Sequence, residues 1–165
     1  MPKIVDPAAY VLNTLNKLSI DYEVLTCDPA LADTDIFCTH YGYSKSSSAN
    51  TILVTSKTGR QQFAACVILA STRLDVNKTV RKRMAVRKVS FASAEQAELL
   101  TGMTLGGVTP IGLPDTLAVW VDHRVMLEPS VILGGGDRST KIKVSPELFP
   151  RMPNVTIVEG LAVNE

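Results

Sequence analysis

Residues 101–112 read Thr-Gly-Met-Thr-Leu-Gly-Gly-Val-Thr-Pro-Ile-Gly, with four glycines and one proline in twelve positions. Glycine lets a backbone approach a ligand or another segment closely, and successive backbone N–H groups can hold an oxyanion or a phosphate. Residues 133–141, Leu-Gly-Gly-Gly-Asp-Arg-Ser-Thr-Lys, form a second such stretch, with polar side chains able to bind oxygen atoms. The first stretch is equally compatible with a turn between a helix and a strand, and the second with a hairpin tip.

Before residue 101, the sequence alternates between helical and extended patterns. Asp6-Pro7 is a typical helix start, with an acidic N-cap followed by proline at the first helical position. Ser93 and Gln96 have the spacing of a capping box, and Gly102 marks the end of the helix that follows. The patterns predict helices over 7–18, 31–40 (ended by Gly42), 76–85 (capped by Asp75) and from Ser93 to near Gly102, and strands over 22–25, 51–55, 62–70 and 87–91.

After residue 112, the chain is rich in strand patterns. They predict strands over 117–122, 131–133, 142–144 and 155–158, with a short helix from Ser145-Pro146. This order requires both hairpins and crossovers, which favours an α+β fold over a doubly wound parallel sheet. We therefore expect one domain over residues 1–165, with a mixed, largely antiparallel sheet flanked by helices.

The composition indicates an ordinary globular chain. Its 165 residues are about the size of one domain, 45% of them are hydrophobic, and 17 basic against 16 acidic residues give a net charge of +1. No apolar run reaches the ~18 residues of a membrane span, and the three cysteines form no Cys-x-x-Cys pair. These features predict a cytoplasmic, reduced protein with neither a membrane nor DNA as partner.

The common catalytic and metal-binding motifs do not occur in the sequence. It contains no Gly-x-Ser-x-Gly, His-Glu-x-x-His or Walker motif, and neither His40 nor His123 has a metal-ligand neighbour at useful spacing. Cys66 lies within an apolar run and is interpreted as a core residue. We therefore expect neither a metal site nor a cofactor.

Six positive charges occur within the eleven residues from Lys78 to Lys88. In a chain that is nearly neutral overall, this run is either a solvated helix face or a surface that contacts nucleic-acid phosphates. The second interpretation makes Lys78, Arg81 and Lys82 candidate tRNA contacts. With four phenylalanines, four tyrosines and one tryptophan in the chain, no base-stacking platform is obvious from the sequence.

Residues 106–112, Gly-Gly-Val-Thr-Pro-Ile-Gly, resemble the Gly-Gly-[Ile/Val]-[Ser/Thr]-Pro-[Phe/Leu/Ile]-Gly signature of the YbaK / prolyl-tRNA synthetase-associated editing domain family. The neighbouring segments follow in the family's order, and the resemblance extends over about residues 6–158. It implies a trans-editing hydrolase that cleaves the ester between a wrong amino acid and the 3′-terminal adenosine of a tRNA, usually tRNA(Pro). Prolyl-tRNA synthetase is the candidate protein partner.

The resemblance also implies roles for particular residues. In this family the Gly-x-x-x-Pro loop lines the aminoacyl pocket, and its backbone N–H groups hold the carbonyl oxygen as negative charge develops. Water, assisted by the ribose hydroxyl of the substrate, is the expected attacking group. Gly106 and Gly107 are thereby assigned to catalysis. Substrate binding is assigned to Thr51, Val108, Thr109, Pro110, Gly135 and Arg138, the last of which could meet a tRNA phosphate.

One position departs from the family pattern. The family's functional lysine precedes a Thr-[Leu/Ile]-[Leu/Ile]-Val strand, and here that position is Asn50, which can donate a hydrogen bond but carries no charge. Many relatives have an acidic residue where this chain has Lys141. We hypothesise that the cation has moved, so that Lys141 and Asn50 together act in catalysis. The alternative is that Lys141 and Lys143 both face solvent, because alternate strand residues share one face.

Two other functions stay open at this point. Without the family's usual lysine, the chain could be a catalytically silent module that binds tRNA or a synthetase. It could also hydrolyse another small ester or a nucleotide conjugate. Turnover of mischarged tRNA tests the first alternative, and turnover of other esters in its absence tests the second.

Overall fold

The computed structural model describes residues 3–165, in which short helices alternate with strands. The α-helices are α1 (Pro7–Lys17), α2 (Thr34–Tyr41), α3 (Arg81–Met84) and α4 (Ala94–Thr101). The strands are β1 (Tyr22–Thr26), β2 (Ala49–Ser56), β3 (Phe63–Leu69), β4 (Thr72–Leu74), β5 (Val89–Phe91), β6 (Ala118–Asp122), β7 (Val131–Gly134), β8 (Thr140–Val144), β9 (Val155–Val158) and β10 (Ala162–Asn164). Single 3-10 turns cover Pro29–Leu31, Lys45–Ser47, His123–Leu127 and Pro146–Arg151, and Val76–Val80 is π-helical.

The strands are arranged in three sheets. The largest has the order β5-β2-β3-β6-β9, in which β3, β6 and β9 run parallel and the other pairs are antiparallel. Strands β1, β8 and β7 form an antiparallel sheet, and β4 pairs with β10. Parallel pairing of β6 with β3 needs a crossover, which the segment carrying α3, β5 and α4 supplies. The predicted α+β class with mixed, largely antiparallel pairing is confirmed, with the strands divided among three sheets.

Several helix ends form where the sequence predicts them. The Asp6 carboxylate accepts a hydrogen bond from the Ala9 N–H at 3.2 Å at the start of α1. At the start of α4, the Ser93 hydroxyl accepts from the Gln96 N–H at 3.1 Å, and the Gln96 side chain accepts from the Ser93 N–H at 2.9 Å. Gly42 ends α2 in the left-handed conformation, with φ +77°.

The helix predicted over 31–40 is interrupted in the structure. A 3-10 turn covers Pro29–Leu31, and α2 begins only at Thr34. The backbone between them is held by a distant side chain, because Lys141 Nζ donates to the Ala32 carbonyl at 2.6 Å. In a continuous helix that carbonyl would accept from the backbone four residues later. The break therefore leaves the Ala32 carbonyl free to accept a hydrogen bond from the Lys141 side chain on β8.

The helix predicted over 76–85 is a π-helical turn followed by α3. The Asp75 carboxylate accepts from the Thr79 hydroxyl at 2.9 Å at its start, as the predicted cap. Val80 and Met84 are buried, whereas the basic side chains of this segment are exposed. The basic run therefore lies on the outer surface of the protein.

Strand β3 separates two hydrophobic clusters. Ala65, Val67 and Leu69 pack into the larger cluster, and Cys66 and Ile68 pack into the smaller one, because successive strand residues point to opposite faces. Full burial raises the pKa of the Cys66 thiol to about 12, so this thiol stays protonated and behaves as an apolar core side chain.

Candidate active site

A cleft of about 670 Å³ opens between α2, β2, β7 and the loop that follows α4. Its volume is in the range typical of small-molecule sites. The cleft brings together segments far apart in sequence, including both glycine-rich stretches. Five of the residues singled out from the sequence line it: Asn50, Thr51, Gly106, Val108 and Lys141.

Lys141 is buried in the cleft wall, with 6% of its surface exposed. Its Nζ donates to the Ala32 carbonyl at 2.6 Å and lies 5.3 Å from the centroid of the Phe37 ring. Burial lowers the pKa of this ammonium group below its usual range. Among the cleft-lining residues of the described chain, Lys141 is the one cationic side chain. Its side chain therefore lies in the cleft and not in solvent, whereas Lys143 is partly exposed and lies outside it.

The amide of Asn50 is held in one orientation by a neighbouring side chain. The Thr34 hydroxyl donates to Asn50 Oδ1 at 2.5 Å. Because Oδ1 is engaged in this bond, the Nδ2 group is the part of the amide left to donate to a ligand. Both Thr34 and Asn50 line the cleft, as Lys141 does, so the Nδ2 donor is available in the same cleft.

The two glycine-rich loops pack directly against each other, backbone to backbone. The Gly136 N–H donates to the Gly107 carbonyl at 2.7 Å, and the Gly107 N–H donates to the Thr104 carbonyl at 2.9 Å. A Cβ atom on Gly107 would lie 2.5 Å from the Cα of Asp137, closer than real Cβ contacts. Gly107 therefore joins the two loops, and its N–H is already used within the protein.

Gly106 lies in the cleft wall with φ +91°, a conformation that favours glycine. Within residues 3–165, its backbone N–H has no hydrogen-bond partner. The side chain of Arg138 packs against this position, so that a Cβ there would collide with the guanidinium group. Gly106 is thus the glycine of residues 106–112 that lines the cleft, and its N–H is unused within the described chain.

The Arg138 side chain connects the segment before α2 with the loop that follows α4. Its Nε donates to the Pro29 carbonyl at 2.9 Å, and its Nη1 lies 3.3 Å from both Asp33 Oδ1 and the Leu105 carbonyl oxygen. The guanidinium is therefore largely occupied by protein acceptors, and 32% of the side chain is exposed.

Three other residues singled out from the sequence lie outside the cleft wall. Thr109 and Pro110 are buried within the first glycine-rich stretch, and the Thr109 hydroxyl has no hydrogen-bond partner within the described chain. Gly135 is buried and donates its N–H to the Thr140 carbonyl at 3.0 Å. These residues support the loops that form the wall.

Lys78, Arg81 and Lys82 are exposed and also lie outside the cleft. The π-helical turn that carries Lys78 contacts β5, and Phe91 at the end of β5 lines the cleft. Strand β5 therefore contacts the segment that carries Lys78 and also contributes Phe91 to the cleft.

The structure adds cleft residues that sequence reasoning missed. Thr34 is 16 positions from Asn50, and no local pattern indicates their contact. Phe37 gives no signal beyond its helical position, although its ring faces Lys141. Phe91 could have been noticed as a large apolar residue at the end of a short strand, directly before a capped helix.

Residues 3–165 contain no group of three or more His, Cys, Asp and Glu side chains arranged to hold a metal ion. None of the helices in this part of the chain has the length and apolar character needed to cross a membrane.

The profile of the aminoacyl-tRNA editing domain family matches residues 28–151, which include the cleft-lining Asn50, Gly106 and Lys141. The curated "Putative Cys-tRNA(Pro)/Cys-tRNA(Cys) deacylase EbsC" of Enterococcus faecalis is 26% identical over 108 residues, which cover 66% of this chain. The chain spans 63% of the length of this relative.

Two solved structures have the same fold. The "hypothetical protein APE2540" matches with a TM-score of 0.81 at 24% identity, over 93% of this chain and 99% of that one. A "putative trans-editing enzyme for prolyl tRNA synthetase" matches with a TM-score of 0.78 at 17% identity, over 95% and 98% of the two chains.

Proposed function

The chain belongs to the aminoacyl-tRNA editing domain family, and we propose that it hydrolyses the ester of a mischarged tRNA(Pro). A synthetase pocket discriminates weakly against an amino acid of similar or smaller size, because one methylene contributes only ~1–3 kcal/mol. A second, hydrolytic site must then remove the wrongly attached amino acids from the tRNA. The names of the Enterococcus relative and of one structural neighbour support tRNA(Pro) as the substrate.

The observation that carries this proposal is that Lys141 and Asn50, 91 positions apart in the chain, line the same cleft. During ester hydrolysis, attack of water on the carbonyl carbon places negative charge on the carbonyl oxygen. The Lys141 ammonium, the Asn50 Nδ2 group and the Gly106 N–H are donors that could stabilise that charge. Collapse of the intermediate breaks the bond to the ribose oxygen, which leaves with a proton. The products are the free amino acid and a tRNA with its hydroxyl restored.

In this proposal the attacking water is oriented by the free ribose hydroxyl of the substrate, as the family resemblance implies. The protein's part is to hold the ester and to stabilise charge, which needs no nucleophilic side chain. Thr51 and Val108 contact the substrate from the cleft wall. Arg138 braces the loop that carries Gly106, since its donors already bind Pro29 and Leu105.

The exposed Lys78, Arg81 and Lys82 provide a positive surface for the acceptor-stem phosphates. We also propose that residues 1–165 form one editing domain acting in translation fidelity in the cytoplasm, with prolyl-tRNA synthetase as the protein that presents mischarged tRNA. Support for one domain comes from the larger hydrophobic cluster, which combines Val11 of α1 with Met152 near β9.

The direct test is a deacylation panel with purified protein and tRNA(Pro) charged separately with Cys, Ala, Ser, Thr or Pro. We expect loss of one or more non-cognate esters above a no-protein control, with Pro-tRNA(Pro) left intact. Binding of the tRNA without turnover would favour a silent module. Turnover of simple amino-acid esters alone would favour a different ester hydrolase.

Replacing Asn50 by aspartate should lower kcat/KM for the selected substrate by about 100-fold, the typical cost of losing one preorganised donor to a developing oxyanion. The substitution keeps the size and the oxygen that accepts from Thr34, but it removes the Nδ2 donor and adds a negative charge. Steady-state kinetics on the mischarged tRNA provides the measurement. Unchanged kcat/KM in a folded variant would exclude Asn50 from the machinery.

A further inference from the structure

Phe91 is a large exposed aromatic residue at the edge of the cleft. It ends β5, lines the cleft wall and has 60% of its surface exposed. The other aromatic residue of the wall, Phe37, is buried and stacks on Tyr43 with 5.4 Å between the ring centroids. Within the described chain, the ring of Phe91 has no aromatic or cationic partner. Its ring is thus available to a ligand.

Two further exposed apolar residues line the same cleft. Ile36 of α2 is 46% exposed and Leu105 is 54% exposed. Several exposed apolar side chains on one cleft indicate a binding surface more than chance exposure. Together with Phe91 they form an apolar rim, defined as Ile36, Phe91 and Leu105.

The substrate of the proposed reaction restricts what this rim can bind. The scissile ester is attached to a ribose that also carries a nucleobase. A substrate whose ester lies at Lys141 must therefore place the base of that same nucleotide in the cleft or at its edge. Asp33 and Asp35 on the α2 side are ion-paired with Arg138 and Lys45 and offer no aromatic surface. An unpaired base stacks well on an aromatic ring.

The surroundings of Phe91 suit an approaching single strand. Arg87 and Lys88 precede β5 directly and are exposed, and the basic π-helical turn contacts the same strand. Proteins that bind single-stranded ends combine a positive surface along the backbone with an aromatic side chain under the bases. In this chain the positive charges and the exposed aromatic side chain occur within one segment, from Lys78 to Phe91.

We propose that Phe91 is the stacking surface for the unpaired 3′-terminal adenine of the substrate tRNA, with Ile36 and Leu105 enclosing the base. This inference rests on the proposed deacylase function and assigns the base-binding part of the same site. The stacked base fixes the position of the ribose and thus of the ester relative to Lys141. Phe91 is a substrate-binding residue in this assignment and takes no part in proton transfer.

Binding is tested separately from hydrolysis with two uncharged forms of the tRNA, one ending in adenosine and one with an abasic residue at the 3′ end. The dissociation constants of both are measured by fluorescence anisotropy. The wild-type protein should prefer the adenine-bearing end by about 5- to 150-fold, the range of one base–aromatic stack. Phe91→Ala should remove this preference, and Phe91→Trp should keep it.

Two matched variants control for lost apolar surface. Phe91→Leu retains an apolar side chain without an aromatic face and should behave like Phe91→Ala. Leu127→Ala removes an equally exposed apolar side chain, 68% exposed and outside the cleft, and should bind both RNAs like the wild type.

The outcomes separate this inference from the proposed function. A wild-type protein that binds both ends equally, or binds neither, would overturn the stacking assignment, as would an unchanged preference in Phe91→Ala. A clear preference without turnover of any mischarged tRNA would reject the deacylase and keep the base-binding surface. Turnover with no preference would keep the deacylase and reject the surface.

Discussion

Replacing Lys141 by methionine should lower kcat/KM for deacylation by at least about 100-fold, because it removes the one cation that lines the cleft in the described chain. Loss of a single preorganised donor to a developing oxyanion typically costs ~10²–10³ in kcat. Methionine has a similar length and fits an apolar wall, so the cleft should keep its shape.

The same substitution has two opposing effects on the free energy of unfolding: it leaves the buried Ala32 carbonyl without its donor, which costs about 1–3 kcal/mol, and it removes a buried charge. Burial lowers the pKa of Lys141 in the folded protein, which means that its charged form is held at a free-energy cost relative to the unfolded chain. This free-energy cost is fully present at pH values below the pKa of Lys141 in the folded protein. It disappears as the pH rises above the pKa of Lys141 in the unfolded chain. The free energy of unfolding of the methionine variant, relative to that of the wild type, should therefore fall as the pH is raised through that interval.

Steady-state kinetics on the selected mischarged tRNA and thermal unfolding at several pH values measure the two effects. Lys143→Met is the matched control, because Lys143 lies two positions away on the same strand and outside the cleft. It should keep both activity and stability. Full activity in a folded Lys141→Met protein would show that the cation is not used in catalysis.

Replacing Gly107 by alanine should lower the free energy of unfolding by about 3 kcal/mol, at the upper end of typical overpacking costs. The added Cβ would lie 2.5–2.6 Å from the N, Cα and C atoms of Asp137. These are backbone atoms of the second glycine-rich loop and cannot rotate away. The clash would also strain the hydrogen bond from the Gly136 N–H to the Gly107 carbonyl.

Urea denaturation compares this variant with Gly160→Ala, a glycine substitution with no steric obstacle. Gly160 has φ +75°, and a Cβ atom at this position would have no neighbouring atom within 4 Å, so alanine there should cost only about 1 kcal/mol of backbone strain. Gly107→Ala should be clearly less stable than this control, or should fail to accumulate as folded protein. Equal stability of the two variants would contradict the backbone-to-backbone packing of the loops.

The local features of the fold could be predicted from the sequence. Asp6 and the Ser93–Gln96 pair form helix caps because the interacting groups are three residues apart, and such contacts need no knowledge of the rest of the chain. The buried strand over 62–70 was equally visible, since a continuous apolar run must be covered on both faces. The division of the strands into three sheets was not visible, because pairing partners such as β3 and β6 are some fifty residues apart.

The candidate site was predicted in part. Asn50 and Lys141 were singled out by the departure from the family pattern, but strand alternation left open that Lys141 and Lys143 both face solvent. Its burial depends on the break before α2, which offers the Ala32 carbonyl to the ammonium group. The sequence likewise drew attention to Gly106 and Gly107, without indicating that one lines the cleft and the other joins two loops.

The sequence by itself determined the family, the helix caps, the buried strands and the two glycine-rich loops, because these follow from neighbouring residues and short motifs. Tertiary structure alone decided that Thr34 orients Asn50, that Lys141 enters the cleft and that Phe91 stands exposed at its edge. Each of these depends on contacts between segments far apart in the chain. Such contacts are set by how the sheets and helices pack, and no local pattern encodes them.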